Sequence, residues 1–541
     1  MPNSDTDAAW KFHEATKLSY IKLKTKPALY KSYSGLPQVA LPADIASPNM
    51  PALQAVAAAG QPVDGQLDLQ AVAQLLHYSA GLIRKSNLPS AGEVHYRAAA
   101  SAGALYPIEL YLVCGDLPGL DAGVYCFAPD RNALVQLRRG DFRGNLTEAA
   151  ANEEAVGHAP AIVVCTAVFW RSAWKYRTRG YRYCFWDNGT VLSNLLAVSH
   201  SLGLPASVVA GFVDDEVDRL LGVDSERESA TCLVSIGAGG VGGAAPQVSV
   251  PLGEIPFGDL GDEHRLIYPE SEQLNEGSRL GTQEAVLDWR RLPSPASDAA
   301  PDFLDAPDFD VPSSKALGSS IGLRGSTRRF AREPISENQL AGLLNASTSP
   351  FASDYRNSSV GGRGTGGPEL IDTYLIVNSV DGLAPGAYFH SPAGLELLGL
   401  ELLKEGDFRE AAGHLCFEQA LGADASAVAF FLADMEGILD RFGNRGYRTA
   451  QLEAGILGGR MYLSSHSLGL GATGMTFFDD AVTAFFSPHA AGKSLMFLVG
   501  LGVTGDPNRV RPFRSRIGML KDSLARGAGG GRRPVPDWLY D

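Results

Sequence analysis

Apolar residues along this chain gather in short runs bounded by turn residues, and the runs occur twice in the same order. In the first half, ELYLVCG (109–115), AIVVCTAVF (161–169) and ATCLVSIG (230–237) are nearly continuous apolar stretches of strand length. In the second half, DTYLIVNS (372–379), AVAFFLAD (427–434) and SLMFLVGLG (494–502) take the same places. Runs of this length flanked by Gly, Pro, Asn and Asp predict buried strands. Shorter turn-bounded strands are expected around GVYCFAP (123–129) and GAYFHSP (386–392). Val191, Leu192, Leu195 and Leu196 recur at helical spacing and predict a helix over about 187–203, with a counterpart at about 450–468. ISENQLAGLL (335–344) reads as a further helix. Strands interleaved with helices predict an α+β layered fold.

The order repeats because the sequence repeats. GDFR stands at 140–143 and 406–409, RGYR at 179–182 and 445–448, and SHSLGL at 199–204 and 465–470, all at an offset of 266. GFVDD (211–215) resembles TFFDD (476–480). Three identical words at one offset mark a tandem duplication. Residues 288–322 are rich in Pro, Asp, Ala and Ser and read as a linker. The expected organisation is an N-terminal extension (1–60), domain one (61–260), a connecting segment (261–322), domain two (323–520) and a Gly/Arg-rich tail (521–541).

Composition narrows the function. The chain has 541 residues, 45% of them hydrophobic and 20% charged, enough apolar material for two cores. A net charge of −14 repels phosphate backbones, so nucleic acid is not an expected partner. No run of about 18 apolar residues predicts a membrane span, and the polar first residues lack an apolar signal core, so a cytoplasmic location is expected. The six cysteines form no C-x-x-C pair and predict neither a metal site nor a disulfide framework. GAGGVG (237–242), GRGTGG (362–367) and GLGVTG (500–505) match G-x-G-x-x-G but lack the strand-then-helix setting of a dinucleotide site. GSSIG (318–322) lies in the linker with no strand before it, which excludes a nucleophile elbow. His200 and His466 sit at equivalent helical positions among apolar residues and read as packing histidines.

Three strings carry candidate chemistry. RGSTRRF (324–330) offers three Arg and two hydroxyls, a phosphate-binding set or a solvated basic turn. In RAAASAGALYPIELYLV (97–113), small residues ahead of a strand allow a planar ligand to approach the backbone, or form a plain turn. WKYRTRGYRY (174–183) packs Lys, Arg and aromatics just before a long helix. Together, with the leader FHEATKLSY (12–20) and the two DD-ending turns, these strings resemble the flavin-dependent nitroreductase superfamily, specifically its SagB/ThcOx-type dehydrogenases, which include azoline oxidases of peptide pathways.

The resemblance implies two nitroreductase-like domains, each a mostly antiparallel sheet flanked by helices. The family forms homodimers with FMN at the subunit interface. Here R-x-S-x-R is present only in domain two and S-A-G-A-L-Y-P only in domain one, so the chain is expected to be an intrachain pseudo-dimer with one complete FMN site and one degenerate site. Domain two would supply Arg324, Ser326 and Arg328, the turn Gly474, Met475 and Thr476, and Arg511 and Arg514 from the basic NRVRPFRSR (508–516). Domain one would supply Ser101, Ala102 and Gly103, with Lys175 and Tyr176 as the catalytic pair. The 266 offset puts Arg441 and Phe442 at the pair's second-copy positions; Arg does not deprotonate at neutral pH and Phe has no hydroxyl. The implied reaction is oxidation of an azoline or related unit on a peptide or carrier-bound intermediate, with hydride passing to flavin and dioxygen reoxidising it. An NAD(P)H-dependent nitroreductase or ene-reductase, and a non-catalytic duplicated scaffold, are the alternatives. A partner biosynthetic enzyme is compatible with this setting.

Overall fold

The computed structural model describes residues 25–58, 65–88, 92–237, 244–248, 252–291, 312–355, 370–391 and 399–505. Its first half holds strands β1 (Gln38–Ala40), β2 (Leu82–Leu88), β3 (Gly92–Arg97), β4 (Ile108–Cys114), β5 (Gly123–Ala128), β6 (Ala133–Arg139), β7 (Ala161–Val168), β8 (Ala206–Val209) and β9 (Glu228–Ile236). The second half holds β10 (Asp372–Val377), β11 (Gly386–His390), β12 (Leu400–Glu405), β13 (Ala427–Ala433), β14 (Gly471–Gly474) and β15 (Ser494–Gly502). Sheet one runs β1-β6-β5-β4-β7-β9-β8 and sheet two β12-β11-β10-β13-β15-β14; β2 and β3 form a separate hairpin. From the second strand onward the orders coincide, and every paired strand in both sheets is antiparallel. Even an irregularity is duplicated: the β7–β9 ladder shifts register at Cys165/Thr166 and the β13–β15 ladder at Phe431/Leu432, again 266 residues on.

Central strands β4, β7 and β13 are buried at every position. That accounts for their continuous apolar sequence: both faces are covered, so no alternation survives. The extra edge strand β1 comes from the N-terminal segment, which adds residues 38–40 to sheet one.

Four helices matter for the site: α1 (Phe169–Tyr176), α2 (Gly180–Ser201), α3 (Gln283–Arg291) and α4 (Met435–Ser467). The helices α2 and α4 join the two halves. A Cβ placed on Gly189 would lie 2.3 Å from the Gly455 carbonyl carbon, and one on Gly455 would lie 2.8 Å from Trp186 Cα. These glycines let the two backbones touch where the helices cross. Both helices begin well before the expected 187 and 450. Tyr181, Tyr183, Cys184, Phe185 and Trp186 are all buried, so the start of α2 is covered on all sides and shows no one-sided apolar period.

The expected linker also begins with structure, since α3 covers 283–291 and buries Trp289. Trp289 and its neighbours are too few and too polar to show a helical period, and the contacts that order them come from both domains, Gly211 and Ala150 of the first and Phe442 of the second.

Candidate flavin site between the two copies

A cavity of about 620 Å³ lies between the halves. Its lining includes Ser101, Ala102, Gly103, Lys175 and Tyr176 from domain one and Arg324, Ser326, Arg328, Gly474, Met475 and Thr476 from domain two. Eleven residues chosen from separate strings thus face one space. Arg511 and Arg514 lie outside the described residues.

The domain-one wall is the turn between β3 and β4. Gly103, Ala104 and Tyr106 hold φ of 65°, 53° and 48°, left-handed positions that cost energy for the two non-glycine residues. Side chains from α2 hold it in place. Asp187 accepts from Ser101 Oγ at 2.5 Å and from the Ala102 amide at 3.0 Å, and Thr190 Oγ1 donates to the Ala100 carbonyl at 2.6 Å. The Tyr106 amide donates to Ser101 Oγ at 2.9 Å. Gly103 must be glycine on a second ground: a Cβ there would lie 2.9 Å from the Tyr176 hydroxyl.

Lys175 and Tyr176 end α1, with Lys175 Nζ 5.6 Å from the centre of the Tyr176 ring. Tyr176 packs edge-on against Tyr183 at 4.3 Å, and Tyr183 continues onto Trp186 at 4.5 Å, so an aromatic wall leads away from the pair. Burial raises the Tyr176 hydroxyl pKa, with Tyr183 and Asp187 adding to the rise and Arg328 opposing it. Immediately after the pair, Arg177 adopts φ 55° and ψ −138°, a conformation that glycine adopts far more readily. The matching break in α4 falls on Gly443, at φ 58° and ψ −159°. Both copies need the bend; the copy that carries Lys175 and Tyr176 makes it with a strained arginine. Beneath α1, the fully buried Arg171 donates to Glu109 at 2.5 Å and to the Tyr106 carbonyl at 3.0 Å, which ties the helix to the small-residue turn.

The domain-two wall is the R-x-S-x-R loop beside β14. Arg324 is buried and reaches across, with Nε 3.1 Å from the Ala98 carbonyl and Nη2 3.3 Å from the Arg97 carbonyl. It therefore clamps one half to the other. Ser326 Oγ lies 3.2 Å from the Tyr462 hydroxyl, which accepts the Gly474 amide at 2.6 Å. His466 Nε2 lies 2.8 Å from the Gly325 carbonyl, a structural role in keeping with its reading from sequence.

The RGYR and DD words meet across the interface. Arg179 and Arg182 reach Asp479 at 3.0 and 2.7 Å, and both lie over the Phe477 ring. In mirror image, Arg445 and Arg448 reach Asp214 at 2.6 and 3.2 Å. The repeated words are two halves of one contact, made twice.

At the pseudo-equivalent position the described residues pack against one another. Phe442, at the Tyr176 position, packs against Trp289 at 5.2 Å, and Trp289 Nε1 donates to the Phe442 carbonyl at 3.1 Å. Asp354 accepts the Ala210 and Gly211 amides at 2.7 and 2.9 Å, at the counterpart of the 474–476 turn. Arg290 binds Asp354 at 2.9 Å and closes the plug.

The residues present fit an FMN-sized group in the first cavity. The floor at 100–104 carries only small side chains, the walls are aromatic, and Arg and hydroxyl donors stand at one end. Among the described residues no His/Cys/Asp/Glu cluster could hold a metal ion, and no helix is long and apolar enough to cross a membrane. All six cysteines are free and buried. Sequence reasoning missed Asp187, Trp186, Tyr183 and Tyr462. Asp187 left one signal, a carboxylate directly after the aromatic run Tyr183–Trp186.

Comparison with known proteins agrees with this geometry. The nitroreductase family profile matches residues 63–238 and 321–502. A protein of Methanocaldococcus jannaschii named as a nitroreductase is 30% identical over 142 residues, covering 26% of this chain and 70% of its own. The trifolitoxin-processing protein TfxB of Rhizobium leguminosarum is 30% identical over 31% of this chain, and the microcin B17-processing protein McbC of Escherichia coli 29% over 28%. The matches span 47% and 57% of those two proteins, and they agree with the SagB/ThcOx-type branch. A crystal structure described as a nitroreductase from Anabaena variabilis superposes with a TM-score of 0.67 at 25% identity, covering 92% of this chain and 99% of that one. With two tandem matches covering more than half its length, this chain belongs to the nitroreductase family.

Proposed function

We propose that this protein is an FMN-dependent dehydrogenase of the azoline-oxidase type, binding one FMN per chain in the cavity between its two copies. One observation carries the reading. The cavity collects the small-residue turn, the R-x-S-x-R loop, the 474–476 turn and the Lys175–Tyr176 pair, while Trp289 and Asp354 fill the equivalent place on the other side. The names of the trifolitoxin- and microcin-processing relatives favour a peptide-borne substrate over a free small molecule, and with it a partner enzyme that installs the azoline.

FMN, when bound, supplies an acceptor for a hydride equivalent and passes the electrons to dioxygen. Lys175 acts as the base that takes the acidic proton beside the substrate's carbonyl or imine. Tyr176 keeps its proton at neutral pH because burial raises its pKa, so it donates a hydrogen bond to the substrate and does not compete as a base. The Tyr183–Trp186 wall orients a flat heterocycle and excludes water from the Lys175 side. Arg328 and Ser326 would hold the phosphate.

The test is flavin content followed by turnover. Purified protein reconstituted with FMN is expected to hold one per chain and to remove two hydrogens from an azoline-bearing peptide under air, read by mass spectrometry. Two FMN per chain refute the one-site reading. Rapid anaerobic bleaching by NADPH, with no peptide oxidation, replaces the oxidase by a reductase.

A further inference from the structure

We propose that Asp187 is a positioning residue whose proton decides whether the Ser101 hydroxyl faces the cofactor cavity as a hydrogen-bond acceptor or as a donor. The inference rests on the flavin reading of this cavity. Asp187 lies on α2, is only 5% exposed, and sits at the cavity lining beside Ser101. Its two oxygens accept from Ser101 Oγ and from the Ala102 amide. Ser101 Oγ accepts the Tyr106 amide in turn.

A hydroxyl has one hydrogen and two acceptor positions, and this arrangement uses nearly all of them. With Asp187 ionised, the Ser101 hydrogen points at the carboxylate, the Tyr106 amide takes one lone pair, and what remains toward the cavity is an acceptor. When Oδ2 takes a proton from water, the carboxylic acid becomes the donor to Ser101 Oγ. Both lone pairs are then engaged, and the Ser101 hydrogen swings to the cavity as a donor. One proton is bound, one O–H rotates, and no bond between heavy atoms changes. The Ala102 amide keeps its acceptor in both states, so the turn itself stays put.

The surroundings keep this switch near neutrality. Burial raises the Asp187 pKa to about 7 against the pull of the Ser101 and Ala102 bonds. The groups facing it are Tyr106 from the turn, Tyr176 from α1 and Cys184 from its own helix, and its charge raises the pKa of all three. Lys175, Arg84, Arg324 and Arg328 also line the cavity. In α4, 266 residues on, Glu453 accepts the Leu370 amide. A carboxylate that holds the turn is thus present in both copies, while the serine beside it belongs to the copy with the open cavity.

The edge and phosphate of a flavin present mostly acceptors, so the donor state binds it better and affinity falls as pH rises through about 7. The experiment measures Kd by flavin fluorescence quenching from pH 5 to 9, with FMN and with riboflavin, whose missing phosphate removes the ligand's own titration. Wild type is expected to lose about fivefold affinity for riboflavin, the worth of one hydrogen bond, through a single inflection, and to show the same loss for FMN on top of the titration of its phosphate. Asp187→Asn, whose amide can donate to Ser101 at every pH, is expected to be flat at the low-pH affinity. Ser101→Ala is expected to be flat and weaker. An infrared pH titration of the flavin-free protein is expected to show a protonated carboxyl stretch that Asp187→Asn lacks. Yellow wild type with pH-independent affinity for riboflavin, or an inflection that survives in Asp187→Asn, overturns the switch and leaves the flavin reading intact. Wild type that binds no flavin at any pH overturns both.

Discussion

The duplicated ion pair gives a controlled comparison inside one molecule. Asp214 and Asp479 are the same residue of the same repeated word, each facing two arginines of an RGYR word from the opposite half. Asp214 is fully buried and also accepts the Leu280 amide at 2.8 Å. Its arginines, Arg445 and Arg448, are nearly as deep, and both bond backbone carbonyls of domain one. Asp479 is 35% exposed and its partners are 31% and 17% exposed. Asp214→Ala strands two buried guanidinium groups, a loss of about 3–5 kcal/mol. Asp479→Ala removes a partly solvated pair and is expected to lose about 1 kcal/mol or less. With a urea slope of about 3 kcal/mol per molar, the midpoints should fall by about 1–1.7 M and by about 0.3 M or less. The assay is urea unfolding followed by tryptophan fluorescence and circular dichroism. Function should show the opposite ranking. Arg182 lies over the rings of Trp186 and Phe477, and Trp186 lines the cavity, so Asp479→Ala should weaken flavin binding more than its stability loss suggests. Equal stability losses, or a loss below about 2 kcal/mol for Asp214→Ala, would refute the argument from burial.

Three further outcomes follow from the geometry. Arg177→Gly should stabilise the protein by about 1 kcal/mol, because it relieves a positive-φ strain that Gly443 avoids in the other copy; a thermal melt that does not rise would assign the bend no cost. Trp289→Ala empties the plugged second site and should cost about 3–5 kcal/mol in chemical unfolding while the flavin content per chain stays unchanged. Asp187 has its carboxyl raised in the folded state, so its contribution to stability is full below the unfolded value of about 4 and is lost as pH rises toward about 7. The stability difference between wild type and Asp187→Asn should therefore change sharply in wild type's disfavour across that window and level off above it, as read from urea midpoints at successive pH values.

What the sequence disclosed and what it hid divide along a physical line. Buried strands announce themselves: β7 and β13 are unbroken apolar runs because both of their faces are covered. The RGYR and DD-ending words are halves of one contact, as when Arg179 and Arg182 of one copy meet Asp479 of the other, and a contact made twice constrains four places in the chain. The cavity was legible for a related reason. Ser101, Lys175, Arg324 and Thr476 are far apart in sequence, but Ser101 and Arg324 stand in strings that only one copy retains, and those complementary strings meet at one cavity. The residues that stayed hidden are those whose meaning depends on the partner copy. Trp289 sits in a polar stretch with no period of its own, and only its place between Gly211 of one domain and Phe442 of the other makes it a plug. Trp186 and Tyr183 look like core, and they are core on one side and cavity wall on the other. On the one-site proposal, the second position is free to hold Trp289 and Asp354 in place of a ligand. The interface that both sites share, the close crossing of Gly189 and Gly455, had to remain for the working site to exist at all.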